Sequence, residues 1–253
     1  MIRWKLTIEY DGTPFMGWQR QGHGDSVQQT LEDAYSKMTG EKDLRLHVCG
    51  RTDAGVHAVG QVAHIDLAER YTEKEVRDGP NYHVGEWPVA VLNAERVSDD
   101  FHARFNTQKR YYRYRLTCNH PTEPQLDAWR SWHVKNDLDI DAMREGAKHL
   151  LGHHDFSSFR ASHCQGKSPI KTLDTIEITE FTDPLRPGRQ IMIDVSAKSF
   201  LHHQVRNITG TLKEVGEGKR APEDVKTILE ACDRCQAGIT APAHGLYFVK
   251  AEY

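Results

Sequence analysis

Two kinds of apolar repeat alternate along this chain, and their order constrains its fold more than any other feature. Residues 3–10 alternate apolar with polar side chains, as in a strand with one buried face. After Ser26, which forms a predicted capping box with Gln29, the apolar period becomes that of a helix ending at Gly40. The chain then predicts strands at 44–49 and 60–67, a short helix at 72–78 and a strand at 88–97. This order, β-α-β-β-α-β, is that of a ferredoxin-like fold.

The second half repeats this order approximately. Its predicted elements are a strand at 110–118, a helix capped by Asp139, strands at 172–180 and 190–197, helices near Leu201–Gly216 and after Pro222, and a strand at 246–253. We therefore predict an α+β fold of two ferredoxin-like halves with pseudo-twofold symmetry, an antiparallel or mixed central sheet and helices on one face. The predicted domains are residues 1–106 and 107–253, with a cleft between them as the expected place for a site.

Glycine and proline mark the expected ends of elements. Gly79-Pro80 is expected to break the helix at 72–78, because proline removes a helical hydrogen bond. Thr182-Asp183-Pro184 and Arg186-Pro187-Gly188 are expected to interrupt the chain between two strands.

Composition narrows the class of protein. The 253 residues are 38% hydrophobic and 27% charged, as in a globular protein rather than a disordered or fibrous one. No apolar run approaches the ~20 residues of a membrane helix, and the N-terminus starts as a strand rather than a signal peptide. We therefore expect a cytoplasmic protein. Its five scattered cysteines predict free thiols, and the C-x-x-C pair Cys232 and Cys235 is expected near a helix end without chemistry.

A glycine-flanked loop carries the strongest sign of chemistry. Asp53 is the only acid between Asp43 and Asp66, and its near neighbours are Arg51 and His57. Cationic neighbours favour an ionised carboxylate, which a nucleophile requires. The same residues also suit a tight turn with a structural ion pair, and the pattern alone does not choose between these two interpretations.

Basic residues are segregated although the net charge is −3. Acids are absent from Phe101 to Thr122, between Asp155 and Asp174, and between Asp194 and Glu214. Each window contains lysines and arginines, and acids crowd the residues that follow the third. This distribution favours a positive surface that follows a phosphate backbone, although a solvated basic face is the simpler alternative.

Several separated blocks resemble one enzyme family. They are Gly50-Arg51-Thr52-Asp53-Ala54-Gly55-Val56-His57-Ala58, Phe101-His102-Ala103-Arg104-Phe105, Arg110-Tyr111-Tyr112-Arg113-Tyr114, His154-Asp155-Phe156-Ser157-Ser158-Phe159-Arg160, Ser199 to Asn207, and Pro242-Ala243-His244-Gly245-Leu246-Tyr247. In sequence and order they resemble the TruA family of tRNA pseudouridine synthases, and they span nearly the whole chain. Relatives carry a leucine-asparagine segment and a leucine-proline pair where this chain has Asp78 to Glu86, and only the asparagine is kept.

The resemblance implies a reaction and the residues that perform it. Uracil is detached from its ribose, rotated and rejoined through C5, which requires neither a cofactor nor a metal. Asp53 would be the nucleophile, attacking either C1′ of the ribose or C6 of the uracil. Tyr112 would stack on the flipped base and assist at C5, whereas Tyr111 on the opposite face would not act. Arg206 would pair with Asp53; a core tyrosine and a surface arginine are the structural alternatives.

The resemblance also implies the partner. A bacterial member of this length would be a homodimer that isomerises uridines 38, 39 and 40 in the tRNA anticodon stem-loop. Arg51 would enter the gap left by the flipped nucleotide, or contact a phosphate. The other expected substrate-binding residues are His57, Arg104, Lys109, Arg110, Arg160 and Lys167.

Two other functions stay open from the residues alone. An inactive RNA chaperone would use the same basic surface. A metal-dependent phosphohydrolase would use His153, His154 and Asp155, although a divalent metal usually requires more carboxylates than this neighbourhood offers. Adjacent histidines such as His153-His154 and His202-His203 are expected to diverge and therefore not to chelate.

Overall fold

The computed structural model describes residues 1–22, 24–162, 164, 166–185 and 187–253, and within them the fold is α+β. Arg186 of the predicted break lies outside the described residues. In chain order the strands are β1 Ile2–Tyr10, β2 His47–Val48, β3 His57–Leu67, β4 Val89–Val97, β5 Lys109–Cys118, β6 Trp132–Val134, β7 Gly152–Asp155, β8 Ile170–Phe181, β9 Arg189–Ala197 and β10 Leu246–Glu252. The helices are α1 Val27–Thr39, α2 Glu73–His83, α3 Ile140–Lys148, α4 Gln204–Gly216 and α5 Asp224–Ala231.

The chain forms two compact units. The first contains Met1–Gln108 together with Tyr247–Tyr253, and the second contains Lys109–Leu246. The last strand therefore belongs largely with the N-terminal residues, from which it is most distant in sequence. The domain division at residues 106 and 107 stays a prediction.

In the first unit the strand order is β4-β1-β3, with β2 antiparallel to β3 and β10 parallel to β3. The apolar face of β1 is fully buried through Trp4, Leu6 and Ile8, as its alternation predicts. Each such side chain contributes roughly 1.5–3 kcal/mol through burial. The two strands on either side of the Asp53 loop differ from prediction, because β2 is only two residues long and β3 begins at His57.

The predicted helix caps are confirmed, but among the described residues the bond from the Ser26 N–H to the Gln29 side chain, which would complete the capping box, is not formed. The Ser26 hydroxyl accepts the backbone N–H of Gln29, and Gly40 ends α1 in the left-handed conformation with φ of 76°. Asp139 caps α3 by accepting the backbone N–H of Ala142. These predictions succeed because a cap depends on residues close in sequence.

The predicted break at Gly79-Pro80 is wrong, because α2 continues through both residues to His83. Proline at position 80 has no N–H to give to the carbonyl of Val76. The hydroxyl of Tyr35, from α1, donates to that carbonyl instead at 2.9 Å. Gly79 allows the close approach of the two helices, since a Cβ there would lie 2.2 Å from Sδ of Met38.

The asparagine kept in the otherwise divergent segment joins α2 to β4. Its side chain, Asn81, donates to the carbonyl of Val91 at 2.9 Å and accepts the N–H of Val91 at 2.7 Å. The register between β1 and β4 shifts beside this residue, where Thr7 pairs with Asn93 and Ile8 with Val91. The amide therefore satisfies the backbone at a bulge that would otherwise leave polar groups unpaired.

In the second unit the strand order is β5-β9-β8-β7, with antiparallel pairing, and β6 lies parallel to β5. The sequence analysis missed β6 and β7, which have three and four residues. Helix α4 begins at Gln204 rather than Leu201, and its apolar stripe of Val205, Ile208, Leu212 and Val215 is buried as predicted.

The cysteines are free thiols, as predicted, and Cys232 is the left-handed residue that ends α5. Among the helices of the described residues, none combines the length and the apolar character needed to cross a membrane.

Candidate active site

The loop between β2 and β3 presents Asp53 on a tight turn. The N–H of Val56 donates to the carbonyl of Asp53 at 3.1 Å. Gly55, the third residue of this turn, has φ of 76°, a conformation that glycine adopts without strain. Asp53 is half-buried and Arg51 is exposed. The tight turn that the sequence suggested is therefore present, and it fixes the backbone that carries the carboxylate within the first unit.

A second segment, residues 12–18, packs directly against this loop. The N–H of Trp18 donates to the carbonyl of Thr52 at 3.1 Å, and the N–H of Gly55 donates to the carbonyl of Phe15 at 3.4 Å. A Cβ on Gly17 would lie 2.7 Å from the oxygen of Thr52, and one on Gly12 would lie 2.0 Å from the oxygen of Val56. Only glycine at these two positions permits the backbone contact, so we call residues 12–18 the loop cradle.

A buried hydrogen-bond network supports the loop from the sheet. Gln61 on β3 donates to the carbonyl of Gly50 at 2.9 Å and to the hydroxyl of Tyr10 at 3.4 Å. The hydroxyls of Tyr10 and Thr52 share a hydrogen bond at 2.8 Å. Burial raises the pKa of Tyr10 to about 12, because the phenolate would lose its hydration. The network therefore stays neutral and fixes Gly50 and Thr52, two of the three residues that precede Asp53.

His57 lies beneath the loop, only 2% exposed, at the start of β3. Its Nδ1 accepts the N–H of Gly12 at 3.0 Å, and its ring stacks on Tyr247 with centroids 4.8 Å apart. Oδ1 of Asp11 also lies 3.2 Å from Nδ1, so this nitrogen is held from two sides. The structure thus places this expected substrate-binding residue among the supports of the cradle.

In the second unit, Tyr112 and Tyr114 lie on the same side of β5, as the alternation predicts. Tyr112 is half-buried, and its ring meets that of Phe200 edge to face at 5.1 Å. Tyr114 is fully buried, which raises the pKa of its phenol, and it donates to the carbonyl of Pro242 at 2.7 Å. Tyr112 therefore keeps an accessible part of its ring, whereas Tyr114 is a structural residue.

Arg206 lies in the first turn of α4 and is half-buried. Its Nε–H donates to the carbonyl of Ala241 at 2.7 Å, and the N–H of Ala241 donates back to the carbonyl of Arg206 at 3.2 Å. Tyr114 holds the next residue, Pro242, through its carbonyl. Residues 241–242 thus form a clamp that fixes Arg206. The alternative of a mobile surface arginine does not fit this half-buried, hydrogen-bonded side chain.

Ala161 and Cys164 fix the segment before α4 through His202. The N–H of Ala161 donates to the carbonyl of His202 at 3.0 Å, and the N–H of His202 donates to Sγ of Cys164 at 3.3 Å. Arg160 donates to the carbonyls of Cys164 at 2.8 Å and Gly166 at 2.7 Å.

The histidine pair at the start of α4 does not diverge as predicted. The ring centroids of His202 and His203 lie 3.9 Å apart. The prediction assumed regular helix geometry, but His203 has φ of 62° and is the residue that precedes the helix. Its left-handed backbone turns the two rings toward each other.

The remaining expected phosphate contacts occupy different environments. Lys109 pairs with Asp174 at 3.1 Å, and Arg110 donates to the carbonyl of Lys198. Arg104 is exposed, with its guanidinium 5.9 Å from the ring centre of Phe105. Lys167 and Arg51 are exposed. Exposure leaves Arg51, Arg104 and Lys167 as the residues best placed to contact a polyanion.

Comparison with known proteins assigns the chain to a family. A family model described as tRNA pseudouridine synthase matches residues 6–106 and 147–253. The chain belongs to the tRNA pseudouridine synthase family. It is 55% identical over 253 residues to a protein of Paramagnetospirillum magneticum named tRNA pseudouridine synthase A, covering 100% of this chain and 96% of that relative.

Two further relatives carry the same name. A protein of Rhodospirillum centenum is 52% identical and one of Wolbachia pipientis is 48% identical, each over 253 residues and each covering 100% of both chains. A solved Cbf5-Nop10-Gar1 complex resembles 97% of this chain and 48% of that chain at 10% identity, with a TM-score of 0.36. That likeness is too weak to add to the assignment, which depends on the full-length relatives.

In this synthase-family chain, three histidines that the sequence analysis did not connect meet in the first unit. His47, His64 and His102 each place one ring nitrogen within 4.8 Å of the others. Nδ1 of His64 accepts the N–H of Ala103 at 3.2 Å, and Nδ1 of His102 accepts the N–H of Arg104 at 3.1 Å. When neutral, both rings therefore carry a proton on Nε2. A metal could bind Nδ1 only if the backbone hydrogen bond were lost, and it could bind Nε2 only if that nitrogen lost its proton.

The pair proposed for a metal-dependent hydrolase is engaged in local hydrogen bonds. A ring nitrogen of His153 lies 2.9 Å from the hydroxyl of Thr172, and Nε2 of His154 lies 2.7 Å from the carbonyl of Leu151. Since a carbonyl only accepts, His154 must donate from Nε2, which removes that nitrogen as a metal ligand.

Sequence reasoning missed the cradle, the network of Tyr10 and Gln61, and the clamp of residues 241–242. Gly12 and Gly17 were the available signal for the cradle, because glycine, which has no Cβ, allows one stretch of backbone to approach another closely. Tyr10 and Gln61 looked like ordinary strand residues, and no local pattern distinguishes them.

Proposed function

We propose that this protein converts uridine to pseudouridine at positions 38, 39 and 40 of the tRNA anticodon stem-loop. The observation that carries the proposal is the half-buried Asp53, presented on a glycine turn that the cradle and a buried hydrogen-bond network hold in place. The full-length relatives, named tRNA pseudouridine synthase A, support tRNA as the substrate.

Asp53 acts as the nucleophile in this proposal. One carboxylate oxygen forms a bond to C1′ of the ribose as the bond from C1′ to N1 breaks, or it adds to C6 of the uracil before that bond breaks. The base then rotates, C5 forms a bond to C1′, and the C5 proton leaves to a base. The aspartate is regenerated, so electrons and atoms balance without a redox partner, and no cofactor is required.

Tyr112 and Arg206 are proposed to complete the site. The accessible part of the Tyr112 ring suits stacking on the flipped uracil, which contributes about 1–3 kcal/mol per base, and its phenol can assist proton removal at C5. Arg206 is proposed to pair with the carboxylate of Asp53 in the active enzyme and keep it ionised. The fixing of Arg206 by Ala241 supports such a positioned charge.

Flipping the uridine exposes it to the nucleophile, at a cost of a few kcal/mol that is least where pairing is already weak. Exposed Arg51, two residues before Asp53, is proposed to occupy the vacated place in the RNA. Arg104 and Lys167 are proposed phosphate contacts. Four other residues bond to neighbouring protein groups, and we propose that they support RNA binding mainly by positioning those neighbours: Lys109, Arg110, Arg160 and His57.

The two-half ferredoxin-like arrangement is part of the same proposal. In the first unit, the element order β1-α1-β2-β3-α2-β4 and the strand order β4-β1-β3-β2 support it. In the second unit, the order β5, α3, β8, β9 and α4 supports it, with β6 and β7 inserted between these elements and most of β10 in the first unit. We further propose a cytoplasmic homodimer, on the family resemblance alone.

The test uses purified full-length protein and tRNA transcripts labelled with tritium at uridine C5. Transcripts that keep a single uridine at 38, 39 or 40 are compared with one that keeps none, with and without a chelator. We expect tritium release and pseudouridine at the retained uridine only, unchanged by the chelator. Tight binding without tritium release would favour an RNA chaperone, and loss of activity with chelator would favour a metal enzyme.

A further inference from the structure

A tryptophan in the second unit adopts a backbone conformation that does not suit it. The N–H of Arg130 donates to the carbonyl of Asp127 at 2.9 Å, which closes a four-residue turn. Trp129, the third residue of that turn, has φ of 64°. This position favours glycine or asparagine, because a bulky side chain with positive φ crowds its own backbone.

The turn is anchored on both sides, which explains how the strained residue persists. The N–H of Asp127 donates to the carbonyl of the buried Pro124 at 3.2 Å, and the carboxylate of Asp127 lies 3.6 Å from Arg115. After the turn, the buried hydroxyl of Ser131 shares a hydrogen bond with Thr117 at 2.9 Å. Strain held in place by its surroundings in this way is concentrated at sites that bind ligands.

The strained residue also exposes a large aromatic ring. Trp129 is 60% exposed, whereas Trp4 and Trp18 are 0% and 1% exposed. Exposed Arg130 follows it directly in the chain. A flat aromatic face next to a cation matches the chemistry of an unpaired nucleotide, with its base for stacking and its phosphate for the guanidinium.

The position of the ring connects it to the residues proposed to act on uridine. Trp129 meets the ring of His244 edge to face, with centroids 5.7 Å apart. His244 lies two residues after Pro242, in the same segment whose Ala241 fixes Arg206. Trp129 therefore contacts the segment of this unit that also fixes Arg206.

From these observations we propose that Trp129 stacks on an unpaired base of the bound tRNA, with Arg130 beside the adjoining phosphate. The inference rests on the proposed function, because it takes tRNA as the partner. It assigns a substrate-binding role to a residue outside the blocks that resemble the family.

Fluorescence titration with unmodified tRNA transcript tests the contact directly. A base stacked on Trp129 should quench its emission, while the buried Trp4 and Trp18 contribute little to the change. Any quenching of Trp87, which is 36% exposed, or of the half-buried Trp132 persists in Trp129→Phe, so the difference between the two proteins reports on Trp129. Trp129→Phe should lose most of the quenching and keep an affinity within a few-fold of the parental protein, because phenylalanine also stacks. Quenching of parental size in Trp129→Phe would overturn the inference.

Kinetics separate stacking from folding. Trp129→Ala and Trp129→Gly should raise KM for tRNA about five- to 150-fold with little change in kcat, as expected for the loss of one stacked base. Trp129→Gly should melt no lower than the parental protein, since glycine relieves the strained φ. Phe181→Ala, which removes a 54% exposed aromatic from β8, is the matched control and should keep the parental KM.

Parental KM in both the alanine and the glycine variant would also overturn the inference. Failure of the proposed function is a separate result, because it appears as no pseudouridine formation by the parental protein.

Discussion

Substitution of Gly17 by alanine tests whether the cradle positions the catalytic loop. The residue has φ of 92°, and an added Cβ would lie 2.7 Å from the oxygen of Thr52 and 3.1 Å from the carbonyl carbon of Asp53. Gly40 offers a matched control, since its φ is 76° and an added Cβ would meet nothing within 4 Å. Both substitutions impose the left-handed strain, and only the one at Gly17 pushes against the loop.

The two effects have different expected magnitudes. Left-handed strain costs about 1–2 kcal/mol for a residue with a Cβ, so Gly40→Ala should lose about that much free energy of unfolding in urea titrations. Gly17→Ala should lose more, because its Cβ also overlaps the backbone of Thr52. The backbone overlap at Gly17 must also displace the loop by up to about 1 Å. A displacement of that size at a reacting group reduces the rate roughly 100-fold. We therefore expect kcat for tritium release to fall about 100-fold in Gly17→Ala and to stay near parental in Gly40→Ala.

The comparison has a clear contrary result. If Gly17→Ala and Gly40→Ala lose equal stability and both keep the parental kcat, contact with the cradle does not position Asp53. Equal loss of kcat in the two variants would also contradict the reasoning, because Gly40 makes no contact with the loop.

Three further predictions concern buried polar groups. Tyr35→Phe should lower the free energy of unfolding by about 1–3 kcal/mol, because it leaves the carbonyl of Val76 unsatisfied. Burial and the nearby His47 and His102 lower the pKa of His64 to about 4, so stability should fall as pH drops from 6.5 toward 4, by at most about 3 kcal/mol, in acid unfolding curves. Burial raises the pKa of Tyr10 to about 12, so stability should fall between pH 10 and 12, by about 2–3 kcal/mol, in alkaline unfolding curves.

Each of these predictions has its own control. Pro80→Ala restores an N–H donor to α2 and should recover most of the stability lost in Tyr35→Phe; no recovery would contradict the compensation. His64→Asn keeps an acceptor for the N–H of Ala103 without titrating, and its acid curve should be flatter. Tyr10→Phe should flatten the alkaline curve, and an unchanged slope would exclude Tyr10 as its source.

Local patterns predicted much of the fold. The stripe of α4 and the caps at Ser26, Gly40 and Asp139 depend on residues within one or two turns, so the sequence contains the whole interaction. The continuation of α2 through Pro80 was missed because the compensating hydroxyl of Tyr35 comes from another helix. The low helix propensity of proline accounts only for the hydrogen bond missing within α2, and not for a donor that another helix supplies.

The candidate site shows the same limit. The Asp53 loop was identified because its residues are contiguous and resemble a known block. Three other features depend on contacts between residues far apart in sequence: the cradle against the Asp53 loop, the clamp on Arg206, and the cluster of His47, His64 and His102. Trp129 was missed because no rule of periodicity or motif predicts a tryptophan at a turn position that favours glycine.

Replacement of Asp53 by asparagine is the most direct test of the account. The amide is nearly isosteric with the carboxylate, so the turn and tRNA binding should persist, but the side chain cannot act as an anionic nucleophile. In single-turnover assays with C5-tritiated tRNA, we expect release to fall by at least about 1,000-fold, with the affinity for tRNA within about twofold of parental. Tritium release at the parental rate by Asp53→Asn would contradict the central claim.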